Sequence, residues 1–166
     1  MFKDCKELRK VSFINVKNLT EISENAFKGC TRLEEIVLPK IDDQFTIKVH
    51  AFSGCTSLKE INSEPGQTNI TKSIRSPIIK LPNSCTIIEE SAFENYTSIV
   101  EIKLLDKLVS IRDKAFENCT SIVEIKLPDQ LVSIGDKAFK NCTSLQIIDF
   151  YNIDRMIPRK VGTNIF

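Results

Sequence analysis

The stretch Ala115–Leu127, which reads AFENCTSIVEIKL, decides the fold because its neighbours repeat it almost letter for letter. An upstream copy, AFENYTSIVEIKL, occupies Ala92–Leu104, and the start of a downstream copy, AFKNCTSL, occupies Ala138–Leu145. The copies follow one another at intervals of 23 residues. A fixed interval of this length is typical of a solenoid, in which each unit buries its apolar face against the next unit.

The same register extends over most of the chain. The repeat phenylalanines are Phe2, Phe27, Phe52, Phe93, Phe116 and Phe139, and the aliphatic residues nine places later are Val11, Ile36, Ile61, Ile102, Ile125 and Ile148. Eleven places after the phenylalanine most copies have another apolar residue, although Ser63 breaks that column. Apolar residues two apart predict a short strand that points them inward. Stacked copies therefore predict a parallel sheet on one wall of a single repeat domain, 1–166.

A second inward-facing segment follows each strand. Proline residues that would end the first strand, because proline lacks an N–H group, are Pro39, Pro82 and Pro128. Apolar pairs three residues apart come next, at Leu19/Ile22, Leu108/Ile111 and Leu131/Ile134. These pairs predict a short strand or extended segment on the opposite wall of the solenoid.

The position two places after the phenylalanine is restricted to residue types that tolerate positive φ. It reads Asp4, Gly29, Gly54, Asn95, Asn118 and Asn141. We therefore expect one short helical turn per repeat, closed by a left-handed residue. The sequons that begin at the three asparagines would then have a backbone origin, and glycan attachment there would require export of the protein.

Five of the six cysteines recur in one column of the repeat. Cys5, Cys30, Cys55, Cys119 and Cys142 follow the phenylalanine by three places, and Tyr96 takes this place in one copy. A residue that recurs once per unit usually fills a buried column, where cysteine behaves as a small apolar residue. We expect reduced core thiols, with disulfides between neighbouring units as the alternative.

The composition excludes several classes of protein. The chain has 166 residues, 42% of them apolar, and a formal net charge of +1, so it has no general attraction to nucleic acid or to an anionic membrane. No apolar run reaches the roughly 18 to 20 residues of a membrane-spanning helix, and the N-terminus lacks a secretory signal. Because Phe2 already lies inside a repeat, we expect the chain to be a fragment of a longer protein.

Two segments depart from the pattern. The interval between Phe52 and Phe93 contains segment 62–77, which has loop composition and lacks the Ala-Phe and cysteine positions. It is either a degenerate repeat or surface insertion, or a binding loop on a rigid scaffold. In segment 151–166 the pattern fades, which suggests either a partial cap or the start of a truncated repeat.

The sequence contains no catalytic or metal-binding signature. His50, the single histidine, directly precedes Ala51 and Phe52, where a partly exposed turn residue is expected. There is no G-x-S-x-G motif, phosphate-binding loop or C-x-x-C pair. Acidic residues recur with the repeat, which indicates a solvated face rather than an acid–base pair. We therefore predict no enzymatic activity and no cofactor.

The pattern L-x-x-I-x-L-P-x-x-L-x-x-I-x-x-x-A-F-x-x-C-x-x-L, seen from Ile122 to Leu145, resembles the BspA-like leucine-rich repeats of treponemal type. The resemblance covers most of the chain outside 62–77 and the last dozen or so residues. It implies a leucine-rich-repeat solenoid, a role in adhesion or ligand binding, and a cell-surface or secreted location. It does not identify the partner.

Residues that alternate with the inward positions of the first strand should face solvent. The candidate binding residues on this face are Glu35, Val37, Glu60, Asn62, Lys80, Glu101, Lys103, Glu124 and Lys126. Our first hypothesis is an interaction module that binds a protein or glycan on this face or through 62–77. The alternatives are that the charges only keep the sheet soluble, or that the protein self-assembles by stacking uncapped repeat ends.

Overall fold

The computed structural model describes residues 2–13, 15–41, 44–62, 78–104, 106–150 and 160–166. Within these ranges the chain forms thirteen short strands and no helix. The strands are β1 (Lys10–Ser12), β2 (Glu21–Ile22), β3 (Glu35–Val37), β4 (Phe45–Ile47), β5 (Glu60–Asn62), β6 (Ile78–Lys80), β7 (Cys85–Ile88), β8 (Glu101–Lys103), β9 (Ser110–Ile111), β10 (Glu124–Leu127), β11 (Ser133–Ile134), β12 (Ile147–Phe150) and β13 (Lys160–Val161). The predicted binding loop or insertion falls almost entirely on residues 63–77, outside the described ranges.

One wall of the solenoid, the front wall, contains the strands predicted by the period-two pattern. It consists of a three-stranded sheet in the order β1-β3-β5 and a four-stranded sheet in the order β12-β10-β8-β6, and the strands within each sheet pair in parallel. The residues nine places after the phenylalanine lie in register, as in the pairing of Ile102 with Ile125. Both are 1% exposed, so the predicted inward orientation is confirmed.

The opposite wall, the back wall, is a single six-stranded parallel sheet in the order β13-β11-β9-β7-β4-β2. Its inward residues form another register column, which includes Ile22, Ile47, Ile88, Ile111 and Ile134. Strand β4 pairs directly with β7, with a register shift after Phe45. The back wall is therefore continuous across the long interval in which the front wall divides into two sheets.

The phenylalanine column forms the centre of the core. Consecutive rings are stacked with centroids 5.2 to 5.6 Å apart from Phe2 to Phe139, and those of Phe27, Phe52, Phe93 and Phe116 are at most 1% exposed. The column has a seventh member that the sequence pattern did not reveal. Phe166 stacks on Phe139 at 5.9 Å, and β13 pairs with β11. Residues 160–166 therefore continue the repeat, while 151–159 lie outside the described ranges.

The turn that holds each phenylalanine has left-handed residues on both sides. All six predicted positions have positive φ, between 58° at Asp4 and 73° at Gly54. A second column, two places before the phenylalanine, was not predicted; it includes Asn25, His50, Ser91, Lys114 and Lys137, with φ from 53° to 57°. Its mixed residue types explain why the sequence did not reveal it.

The expected helical turn is therefore corrected to a series of tight turns. Around Phe27, the N–H of Lys28 donates to the carbonyl of Asn25 at 3.2 Å, and the N–H of Cys30 donates to the carbonyl of Phe27 at 3.0 Å. These bonds span three residues. A helix cannot propagate through this segment because left-handed residues, Asn25 and Gly29, stand on either side of Phe27.

The cysteine column contains free thiols, and all but one of them are buried. All six cysteines are free, and only Cys5, at the end of the column, is exposed. Four thiols each donate a hydrogen bond to the phenylalanine carbonyl of the preceding unit, as Cys55 does to Phe27 at 3.0 Å. Burial raises the pKa of the thiols of Cys85 and Cys142 to about 12. Tyr96 occupies the cysteine position in one unit, and its hydroxyl donates a hydrogen bond to the carbonyl of Leu58.

Candidate functional site

The outer side of the front wall, which we call the front face, contains the candidate residues. Five of the nine have partly exposed side chains, with exposed fractions of 31% for Glu35, 28% for Glu101, 47% for Lys103, 30% for Glu124 and 42% for Lys126. Three others, Glu60, Asn62 and Lys80, lie in β5 and β6. Their side chains are outside the described part of the structure.

Val37 differs from the other candidates whose side chains are described, because it is buried. It lies in β3 but is only 7% exposed, so it offers little surface to a ligand. Its register partners are Ser12 on one side and Asn62 on the other. A short β-branched side chain in a middle strand extends less far from the sheet than glutamate or lysine does. Period-two alternation predicts the direction in which a side chain points but not how far it extends.

Register brings the charged residues of β8 and β10 together in two rows. Glu101 pairs with Glu124 to form the glutamate row, and Lys103 pairs with Lys126 to form the lysine row. Adjacent strands are about 4.8 Å apart, so like charges are neighbours along each row. Each strand contains an ion pair of its own. A Glu101 carboxylate oxygen is 3.7 Å from Lys103 Nζ in β8, and a Glu124 carboxylate oxygen is 2.9 Å from Lys126 Nζ in β10. The lysines therefore offset the repulsion between the two glutamates.

The N-terminal sheet distributes its charges differently. The ion pairs here run between units: Lys10 contacts Glu35 at 2.7 Å, and Glu34 lies between Arg9 and Lys59, 3.1 Å from each. The hydrogen bond and the charge of Lys59, followed by the charge of Arg9, lower the pKa of Glu34. Such exposed pairs contribute little to stability. This sheet has no pair of rows like that of β8 and β10.

Two further residues extend the front face beyond the candidate set. In the pairing of β10 with β12, Ile147 follows Glu124 and Asp149 follows Lys126. Both side chains are exposed, and Ile147 is 45% exposed. The rows thus end in an apolar residue on one side and an acidic residue on the other. The alternation in the sequence already places Ile147 and Asp149 on this face, although neither is among the candidate binding residues.

A ladder of asparagine side chains runs along one corner of the solenoid. The side-chain amide of Asn118 donates to Asn95 at 2.9 Å, and that of Asn141 donates to Asn118 at 2.8 Å. All three residues have positive φ. The ladder therefore gives these residues a structural role, which supports the backbone origin of the three sequons.

The described residues offer no metal-binding cluster. They contain no group of three histidine, cysteine or acidic side chains that could hold a metal ion. His50 occupies a turn, and its Nδ1 lies 3.8 Å from a carboxylate oxygen of Glu94 without a hydrogen bond. Over the same ranges, no helix has the length and apolar character of a membrane span.

An apolar groove of about 380 Å³ lies at the C-terminal end of the solenoid. It is lined mainly by Phe139, Leu145, Ile148 and Phe166, and Phe166 is 57% exposed. These residues belong to the core columns of the last described unit. The groove therefore lies against the core columns of that unit.

Comparison with known proteins gives a consistent result. A family model described as "BspA type Leucine rich repeat region" matches residues 1–76 and 71–161, with six copies of the repeat. No curated protein sequence matches the chain.

Solved structures of bacterial leucine-rich repeat proteins share the fold. A protein from Bacteroides ovatus is 30% identical with a TM-score of 0.67, and the alignment covers 95% of this chain and 34% of that protein. The leucine-rich repeat protein of T. pallidum is 22% identical with a TM-score of 0.63, over 94% of this chain and 74% of that one. A third, from Eubacterium ventriosum, is 22% identical with a TM-score of 0.51, over 88% and 43%. This chain therefore spans about a third of the length of the Bacteroides ovatus protein.

Proposed function

The chain belongs to the BspA-type leucine-rich repeat family, and from this premise we propose that it is a non-enzymatic interaction or adhesion module. Its ligand is a macromolecule, protein or glycan, which binds on the front face. The observation that carries the proposal is the pair of charged rows on β8 and β10. Their side chains are 28% to 47% exposed, and the parallel pairing of the two strands holds them in register.

The chemistry of the face determines the kind of binding expected. Exposed aromatic anchors are missing from the described side chains of the front face, and the accessible groups are carboxylates and ammonium groups. Such a face recognises its ligand through polar contacts, so charge complementarity sets specificity and association rate more than affinity. Binding should therefore weaken as salt is added, because exposed charges are screened over about 10 Å at 0.1 M.

A charge-exchange variant tests this proposal without changing net charge. The front exchange combines Glu101→Lys, Lys103→Glu, Glu124→Lys and Lys126→Glu, which preserves an opposite-charge pair within each strand. The matched control on the back wall is Glu89→Arg with Arg112→Glu, which exchanges a pair whose side-chain atoms are 3.9 Å apart.

The probes are heparin as a sulfated glycan, mannan as a neutral glycan and mucin as a glycoprotein, each immobilised for surface plasmon resonance. We expect wild type and the back-wall control to bind at least one probe equally. The front exchange should bind that probe at least about tenfold more weakly. Equal binding by all three proteins, or no binding of wild type to any probe, would contradict the proposed function.

Self-assembly through the repeat ends is the second candidate function, and the exposed groove at Phe166 favours it. A contact between unlike ends is heterologous and need not close, so it would produce open polymers. Sedimentation velocity over a wide concentration range tests this candidate. Growth beyond a dimer in wild type, lost in Phe166→Ser, would support it, whereas a mass that never exceeds a dimer would exclude it.

A further inference from the structure

We propose that the partner fitted by the two charged rows is a second copy of this chain, docked front face to front face. This inference rests on the proposed function, because it uses the same face and names its partner. The glutamate row and the lysine row lie side by side, two residues apart along the strands. A surface that contains equal rows of opposite charge can be complementary to itself.

The order of the charges selects one symmetry axis. A two-fold axis parallel to the direction in which the units stack keeps the order of the strands and reverses the direction along each strand. It therefore places Glu101 of one copy opposite Lys103 of the second copy, and Glu124 opposite Lys126. Each intrastrand ion pair, at 3.7 Å in β8 and 2.9 Å in β10, then faces an identical pair in the opposite orientation. Four alternating charges in this arrangement attract one another.

A two-fold axis perpendicular to the stacking direction gives the opposite result. An axis parallel to the strands would place the glutamate row against the glutamate row of the second copy, and lysine against lysine. Like charges brought together in this way disfavour association. The pattern of β8 and β10 therefore favours the axis parallel to the stacking direction over the axis parallel to the strands.

The N-terminal sheet does not contribute to this interface. With the same axis, Glu35 would face Val37 of the second copy, and Val37 is only 7% exposed. In β12 the same axis would place Ile147 opposite Asp149 of the second copy, so the self-complementary patch is restricted to β8 and β10. Packed sheets lie about 10 Å apart, a separation that lysine and glutamate side chains can bridge from both sides. The small, charged contact predicts a weak dimer that is sensitive to salt.

Row variants test whether the charged rows drive the association. The lysine-face variant carries Glu101→Lys with Glu124→Lys, and the glutamate-face variant carries Lys103→Glu with Lys126→Glu. We expect the dissociation constant of each variant alone, measured by sedimentation equilibrium, to be at least about tenfold above that of wild type. Mixing the two variants should restore a dimer. The front exchange of all four residues should dimerise as wild type does, because its exchanged rows remain self-complementary.

A control separates row geometry from general charge attraction. Val109 and Val132 are 40% and 45% exposed at equivalent positions of adjacent units on the back wall. Variants with lysine at both positions and glutamate at both positions should not associate on mixing. Wild type should also dimerise more weakly at about 0.5 M salt than at about 0.05 M salt.

The outcomes distinguish this inference from the proposed function. Wild type that remains monomeric at about 1 mM in low salt, or a front exchange that loses the dimer, would overturn the inference. In that case the proposed function still stands if the front exchange loses binding to a probe. Association of the back-wall variants equal to that of the face variants would also overturn the inference, because net charge alone would then explain the effect.

Discussion

Phe116→Ala should remove a large part of the stability of the solenoid. The Phe116 side chain is 1% exposed, and its ring stacks on Phe93 at 5.3 Å and on Phe139 at 5.2 Å. Truncation to alanine leaves a cavity between three units, and such substitutions cost about 3 to 5 kcal/mol. Because each unit contacts only its neighbours, the loss affects both interfaces of the unit. The total free energy of unfolding of a domain is only about 5 to 15 kcal/mol.

Phe166→Ala is the matched control within the same column. Phe166 is 57% exposed, and its ring stacks on Phe139 at 5.9 Å. Its truncation removes less buried apolar area and one stacking partner, so we expect a loss of about 1 kcal/mol. Phe116→Leu keeps most of the apolar volume, and its expected loss of about 1 to 2 kcal/mol provides a folded variant if the alanine protein is too unstable.

Urea denaturation followed by far-UV circular dichroism measures these differences, with the free energy taken from linear extrapolation. The slope of the transition should remain equal for the three variants if they unfold in the same way as wild type. A loss below about 1 kcal/mol for Phe116→Ala would refute the assignment of this column as the core. An equal loss for Phe116→Ala and Phe166→Ala would also refute it, because burial would then not determine the cost.

Two further predictions concern the repeat columns. Thiol titration of denatured protein without reductant should find all six cysteines free, and four or fewer free thiols would indicate disulfides. In the native protein only the exposed Cys5 should react rapidly, because burial raises the pKa of the thiols of Cys55, Cys85, Cys119 and Cys142. Asn118 has a φ of 62° and takes part in two ladder hydrogen bonds. Asn118→Gly should lower the free energy of unfolding by about 1 kcal/mol, because the hydrogen bonds are lost. Asn118→Val should lower it by about 1 to 2 kcal/mol more, because a β-branched residue resists this conformation. Equal melting temperatures for the two variants would contradict the left-handed assignment.

The sequence by itself determined the solenoid, the inward columns and the first left-handed position. These features depend on a local requirement that recurs in every unit, such as an aliphatic residue at Ile125 or a residue tolerant of positive φ at Asn118. Repetition averages out the substitutions at single positions, so the period and the orientation of each strand can be read directly. The positions of the charged residues on the front face followed from the same alternation.

Only the tertiary structure decided which of these positions are accessible and how they are paired. Burial of Val37 depends on the neighbouring strands, and the ion pairs within β8 and β10 depend on side-chain conformation rather than on register. The second left-handed column, at residues as different as His50 and Lys114, is imposed by the closed turn on any side chain present there. Phe166 rejoins the column because the back wall continues through β13. Local patterns report local requirements, whereas exposure and pairing depend on contacts between distant residues.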